Sequence, residues 1–239
     1  MPLLKTLCIA LPLLTLTACS ANLPQVMQTG ADVASASGYN NQAQLVRGIK
    51  EALELGSTRA ATQLATTGGY SQSALYRIAL PENLQPLAKN LRQLGLGSQL
   101  DRVENLMNQG AEKAAAEASA VFITAVKNMT ITDALGIVRG SDTAATDYFR
   151  QQTETILRQR YAPIIKQNLQ QIGFYNQYQQ LLNTYNQLPL ANKPSLDLEQ
   201  HVLEQSLNGL FRQIATEEKQ IRKDPIGRGS SIIGAVFAQ

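Results

Sequence analysis

"SQLDRVENLMNQGAEKAAAEASAVFITAVKN", residues 98–128, decides the class of fold. Leu100, Val103, Leu106 and Met107, followed by Ala114, Ala118, Val121, Phe122 and Ala125, recur at the three- and four-residue spacing that lines one face of an α-helix. At about 1.5 Å per residue that helix is ~45 Å long. Its alanines imply close approach of a neighbouring helix, and Ser98 is placed to cap it. Glu104, Glu112 and Glu117 rim the apolar stripe. Glu112 and Glu117 flank small residues, and a carboxylate buried there needs a cation or hydrogen bonds.

The pattern continues on both sides. Upstream, residues 42–66 place Leu45, Ile49, Leu53, Ala60 and Leu64 near one face, with Gly56 as a weak point. Residues 66–83 read as a loop punctuated by Gly68, Gly69 and Pro81. A short helix then ends at Gly95 or Gly97. Downstream, "TITD" (130–133) is a capping-box-like start for a short helix ending at Gly140. Asp142 is placed to cap a helix over 143–171, which Pro163 should kink or split. Phe174, Tyr178, Leu181, Tyr185 and Leu188 line a further helix, and Pro189 and Pro194 frame a loop. Residues 197–223 carry Leu203, Leu207, Leu210, Ile214 and Ile221 at coiled-coil-like spacing. Asp224-Pro225 breaks that helix, and a short apolar tail follows. No stretch alternates like a strand. The expected fold is all-α: a multi-helix bundle in a single domain over residues 42–239.

The N-terminus reads as an export signal. Lys5 is followed by an apolar run over residues 6–18, too short to span a bilayer, which needs ~20 residues. Leu16-Thr17-Ala18-Cys19 resembles the bacterial lipoprotein signal, which makes residues 1–18 a signal peptide and Cys19 the lipidated first residue of the mature chain. Residues 19–41 then form a flexible tether spanning ~25 Å. Ser20 favours the outer membrane, facing the periplasm. Two or more acyl chains anchor a protein stably, at about 0.8 kcal/mol per buried methylene.

Composition narrows the chemistry. The other cysteine, Cys8, lies in the signal, so the mature chain has no free thiol for a disulfide, a thiolate metal site or a nucleophile. Removing Lys5 from 21 basic residues leaves 20 against 18 acidic, a net +2 with no basic run, so nucleic acid is not an expected partner. A single histidine, His201, makes a multi-histidine zinc site impossible. Position 198 is Leu, so His201 does not complete a Glu-x-x-His di-iron motif, and it reads as solvent-facing. Glu218 and Arg222 stand four apart and read, with Glu217, as a solvated ion-paired face. "GGYSQS" lacks the Lys and the preceding strand of a phosphate loop, and no Gly-x-Ser-x-Gly elbow is present. No cofactor is expected.

The densest polar stretch is "MTITDALGIVRGSDTAATDYFR" (129–150). It gathers Asp133, Arg139, Asp142, Thr143, Thr146, Asp147 and Arg150 around one helix–turn–helix. Helix N-termini attract anions through unpaired N–H groups, and Arg139 adds charge, which makes these seven the candidate ligand-binding residues. The competing reading is that Thr130, Asp133 and Asp142 only cap helices.

"LVRGIKEALELGSTRA", "IALPENLQPLAKNLRQLGLG", "MNQGAEKAAAEASAVFITAVKNMTITDALGIVRGSDTAATDYFR" and "LNGLFRQIATEEKQIRKDPIGR" together resemble a bacterial family of uncharacterised proteins, domain-of-unknown-function family 4197. The resemblance runs from about residue 45 to 228. It implies an exported, mainly helical domain and brings no activity, cofactor or catalytic residue. The residues themselves suggest an envelope lipoprotein, a non-enzymatic binding or assembly protein. It would be held to the membrane by its lipid and take a hydrophobic ligand or an envelope protein partner. The alternative is a carboxylate-dependent periplasmic hydrolase using Asp133, Asp142, Asp147, Glu112 and Glu117.

Overall fold

The computed structural model describes residues 23–187 and 197–237. The signal peptide, Cys19 and the loop framed by Pro189 and Pro194 lie outside them. The helices are α1 (Leu23–Ala65), α2 (Gln85–Gln93), α3 (Gly97–Ala115), α4 (Ala118–Asn128), α5 (Ile131–Arg139), α6 (Ala144–Gln171), α7 (Phe174–Asn186), α8 (Leu198–Lys223), α9 (Pro225–Arg228) and α10 (Ser231–Phe237), with a 3-10 turn at Glu82–Leu84. No strand occurs among the described residues, and the fold is an all-α bundle. The chain divides into two units, Met1–Gln42 and Ala43–Gln239. The core and the site described below belong to the second. Of the first, the backbone is helical from Leu23, inside the segment expected as a coil. Pro24 falls in the first turn, where its missing N–H is not needed. No described helix alone is long and apolar enough to cross a membrane.

The long helix expected over 98–128 is present with one local change. Ala116 and Glu117 tighten into a 3-10 turn, in which Glu117 N–H donates to Ala114 O at 3.1 Å, and this separates α3 from α4. α3 starts at Gly97, and Ser98 does not cap it. α6 runs unbroken through Pro163, contrary to the expected split. Pro163 and Gln159 are both exposed, so water can take the carbonyl that the proline leaves without a donor.

α3 is the central helix and packs against α2, α6, α7 and α8. A Cβ added at Gly110 would lie 3.3 Å from the Leu169 side chain, so α3 and α6 cross closely there. Phe122, Phe149 and Phe211 join α4, α6 and α8, with ring centroids 4.9 Å (Phe122–Phe149) and 6.3 Å (Phe122–Phe211) apart. Each such ring buries about 150–250 Å².

The non-helical strap between Thr66 and Pro81 is fixed onto α3 by polar side chains that fall in phase with the apolar stripe. Glu112 Oε1 accepts from the N–H groups of Gly68, Tyr70 and Ser71 and from the Ser71 hydroxyl, at 3.0 to 3.2 Å. Asn108 accepts from Ile78 N–H and donates to Ile78 O, both at 2.8 Å. Glu104 accepts from Leu80 N–H at 3.3 Å and from Arg77 at 3.0 Å. Glu104 and Glu112 are therefore buried beneath the strap, not on the rim of the stripe. His201 is half-buried, and its Nε2 donates to Ala79 O at 2.9 Å, which ties the strap to α8.

Tyr70 is fully buried, and its hydroxyl donates to Ser206 O at 2.6 Å. Its ring lies over Gly209, where an added Cβ would sit 2.8 Å from the ring. With the hydroxyl fixed, the ring cannot retreat. Gly209→Ala should therefore lose about 1–3 kcal/mol by overpacking, despite the better helix propensity of alanine. Gly136 in α5 meets nothing within 4 Å, and Gly136→Ala should gain about 0.5–1 kcal/mol. Urea unfolding of the two variants checks the opposite signs.

Candidate functional site

The turn from α5 to α6 is the densest polar stretch of the chain, and the structure closes it with residues from α8. α5 opens with the expected capping box. The Thr130 hydroxyl accepts from Asp133 N–H at 3.1 Å, and Asp133 accepts from Thr130 N–H at 3.0 Å. The Thr130 hydroxyl and N–H hold the Asp133 carboxyl below the usual range of an aspartate. α5 leaves the Gly97–Asn128 axis at 107°. This brings its C-terminus against α8.

Asp142 is exposed and does not cap α6. Thr143 occupies the cap position without a side-chain bond. The capping group is Glu218 of α8. Its carboxylate accepts from Ala145 N–H at 3.0 Å, from Thr146 N–H at 2.9 Å and from the Thr146 hydroxyl at 2.8 Å. A negative charge at a helix N-terminus is favourable for the helix dipole as well as for the unpaired N–H groups. Arg222, one turn further along α8, pairs with Glu218 at 2.9 Å and donates to Ile137 O at 2.9 Å, so it closes the C-terminal end of α5. One ion pair thus joins the end of α5, the start of α6 and the body of α8. Glu217 and Glu218 are buried, which corrects the reading of this stretch as a solvated face.

The seven candidate residues are not all brought to one place, although Asp147 and Arg150 line one open groove on α6 with Glu154 and Arg158. Thr146 is buried against Glu218, and Asp133 caps its own helix. Arg139 and Asp142 are exposed at the turn. The Thr143 hydroxyl lies 3.5 Å from the Asp147 carboxylate, on the outer side of α6. Arg150 is half-exposed. Its guanidinium sits 4.4 Å from the Phe211 ring centroid, and it pairs with Glu154 at 3.4 Å. Glu117 pairs with Arg160 at the surface at 3.8 Å. No cluster of three or more His, Cys, Asp or Glu suited to a metal occurs among the described residues. An apolar crevice lined by Leu53, Gly56, Ile137, Phe149, Ile214 and Ile221 borders the ion pair. Its volume is ≈ 30 Å³, against the ~300–1,000 Å³ of a small-molecule site.

Sequence reasoning missed Glu218 and Arg222 as anchors. The signal was present: Ile214 and Ile221 fix the buried face of α8, and positions 217 and 218 lie between them on that face. Acidic residues in a stripe that calls for apolar ones mark a buried contact.

The molecule is thus an all-α bundle whose helix ends are tied by a buried ion pair. The model of a family described as protein of unknown function (DUF4197) matches residues 39–238, and the chain belongs to that family. No curated protein and no solved structure matches it.

Removing the Glu218 carboxylate leaves the buried N–H groups of Ala145 and Thr146 and the Thr146 hydroxyl without their acceptor. Glu218→Ala should cost about 3–5 kcal/mol in denaturant unfolding. Glu218→Gln, which keeps an acceptor oxygen for these donors, should cost less than Glu218→Ala.

Proposed function

We propose that this protein is an envelope lipoprotein that works without catalysis, by holding partner proteins at its surface. One observation carries the reading: the carboxylates that a hydrolase would need are already engaged or point apart. Glu112 is taken up by the strap, Asp133 by its own cap and Glu117 by Arg160, while Asp142 and Asp147 are exposed. Two carboxylates facing one another across a cleft, as glycoside chemistry requires, are not assembled from this set. The small volume of the apolar crevice favours a partner on the surface over a hydrophobic ligand inside. Lys5, the apolar run and Leu16-Thr17-Ala18-Cys19 support export and lipidation at Cys19, with the bundle on the periplasmic side of the outer membrane. The exposed charges of the α5–α6 turn, Arg139, Asp142 and Asp147, then provide polar contacts to a partner, joined by the half-exposed Arg150.

The test is made on protein isolated from its own envelope. Intact mass should show a chain that begins at Cys19 and carries acyl chains. A photo-crosslinking residue placed at Asp142 should give a discrete adduct with another envelope protein, while one at Lys89 on α2 should not. An unacylated chain would refute the anchoring. A bare monomer from both positions would refute the surface assigned to the partner.

A further inference from the structure

The C-terminal segment contains a helix that carries no charged side chain yet lies at the surface. α10 reads Ser-Ile-Ile-Gly-Ala-Val-Phe and has no charged residue. Ile233 and Val236 are buried and hold it to the bundle, with Ile233 packed among Ala52, Leu55 and Ile221. A Cβ added at Gly48 of α1 would meet Val236 at 2.6 Å and Ile232 at 3.1 Å, which fixes the side of α10 that faces α1. At about 100° per residue, Ser231 and Ala235 then point away from the bundle, with Ile232 to one side of them and Gly234 to the other. Ile226 of α9 lies across Gly234, whose added Cβ would be 2.5 Å from it. The outer face therefore runs Ile226, Ser231 and Ala235, with Ile232 at its edge toward α1. Ile226 is 67% exposed and Ile232 is 37% exposed. Surface helices of soluble proteins ordinarily turn a polar face outward.

The exposed charges of the C-terminal end of α8 and of α9, next to α10 in the chain, are mostly basic. Lys219, Lys223 and Arg228 are exposed on α8 and α9. Arg228 is held in place through its carbonyl, which accepts from Arg59. Asp224 is the acidic residue of the segment, and its carboxylate accepts from Gly227 N–H at 3.0 Å. On the α1 flank, the half-buried Glu51 stands four residues from the exposed Arg47, so that side is balanced. An apolar helical face flanked by Lys and Arg is the chemistry of an interfacial helix on an anionic lipid surface.

We propose that the α9–α10 face rests on an anionic membrane surface through Ile226 and Ile232, with Lys223 and Arg228 at the lipid headgroups. This rests on the envelope reading above and adds to it a second contact, independent of the acyl chains.

The test uses the mature chain from residue 19 with Cys19→Ser, so that no lipid contributes and the result does not depend on whether Cys19 is acylated. Co-sedimentation is measured with vesicles of phosphatidylglycerol and phosphatidylcholine in equal parts, and with phosphatidylcholine alone. Binding to the anionic vesicles should be at least ~10-fold tighter and should weaken as salt is raised. Ile226→Asp and Arg228→Glu should each reduce it about 5- to 10-fold. Both side chains are exposed, so both variants should keep the wild-type circular dichroism. Lys89→Glu, the same charge change on α2, should leave binding within about 2-fold of wild type. Equal binding to both kinds of vesicle, or binding by Ile226→Asp and Arg228→Glu equal to that of Lys89→Glu, overturns the proposal and gives the face to a protein partner.

Discussion

Glu104, Asn108 and Glu112 stand four residues apart on the central helix, and the arrangement of the bundle depends on what they hold. Between Thr66 and Pro81 the chain runs in turns without a helix, and part of that strap is buried. Buried backbone N–H and C=O groups must find partners, and here no helix supplies them. The three side chains supply them from α3. Glu112 gathers the turn that begins at Gly68, whose φ is +92° and favours glycine. Asn108 pairs with Ile78 as a neighbouring strand would. Fixed in this way, the strap delivers Tyr70 to α8, with its hydroxyl on Ser206 O and its ring on Gly209. Helix packing and strap geometry are therefore one problem with one solution.

The same device recurs at the other polar centre. Glu218 stands in the apolar stripe of α8 as Glu112 stands in that of α3, and each satisfies backbone donors from a distant segment. A buried carboxylate without donors would cost several kcal/mol. With three or four donors it becomes a specific joint. This explains why a chain with a sizeable alanine and leucine core still buries Glu112 and Glu218: each carboxylate is held by several donors.

Much of the fold was legible because helix formation depends on local spacing. The apolar stripe over 98–128, the capping box at Thr130 and Asp133, and the break at Asp224-Pro225 are all local signals. The burial of Glu218 was legible in its place between Ile214 and Ile221, but the partners were not: the N–H groups of Ala145 and Thr146 from which Glu218 accepts, and the Ile137 carbonyl to which Arg222 donates, lie more than seventy residues earlier in the chain. The spacing of Glu218 and Arg222 alone is equally that of a surface pair. Asp142 shows the converse. It stands where a cap is expected, but the donors at the start of α6 were taken by a buried carboxylate from another helix. Pro163 shows how exposure decides outcome, since a proline on the wet side of a helix costs a bond that water can replace.

The buried acidic and amide groups of α3 bind the strap as structural ties, and that role is open to measurement. Amide hydrogen exchange of the strap, compared between wild type and Glu112→Ala, tests it most directly. The amides of Gly68, Tyr70 and Ser71 should lose protection by about 100-fold or more, and global stability should fall by roughly 3 kcal/mol, the cost of stranding several buried donors. Unchanged protection and stability in Glu112→Ala would contradict it and return Glu112 to the list of groups free to do chemistry.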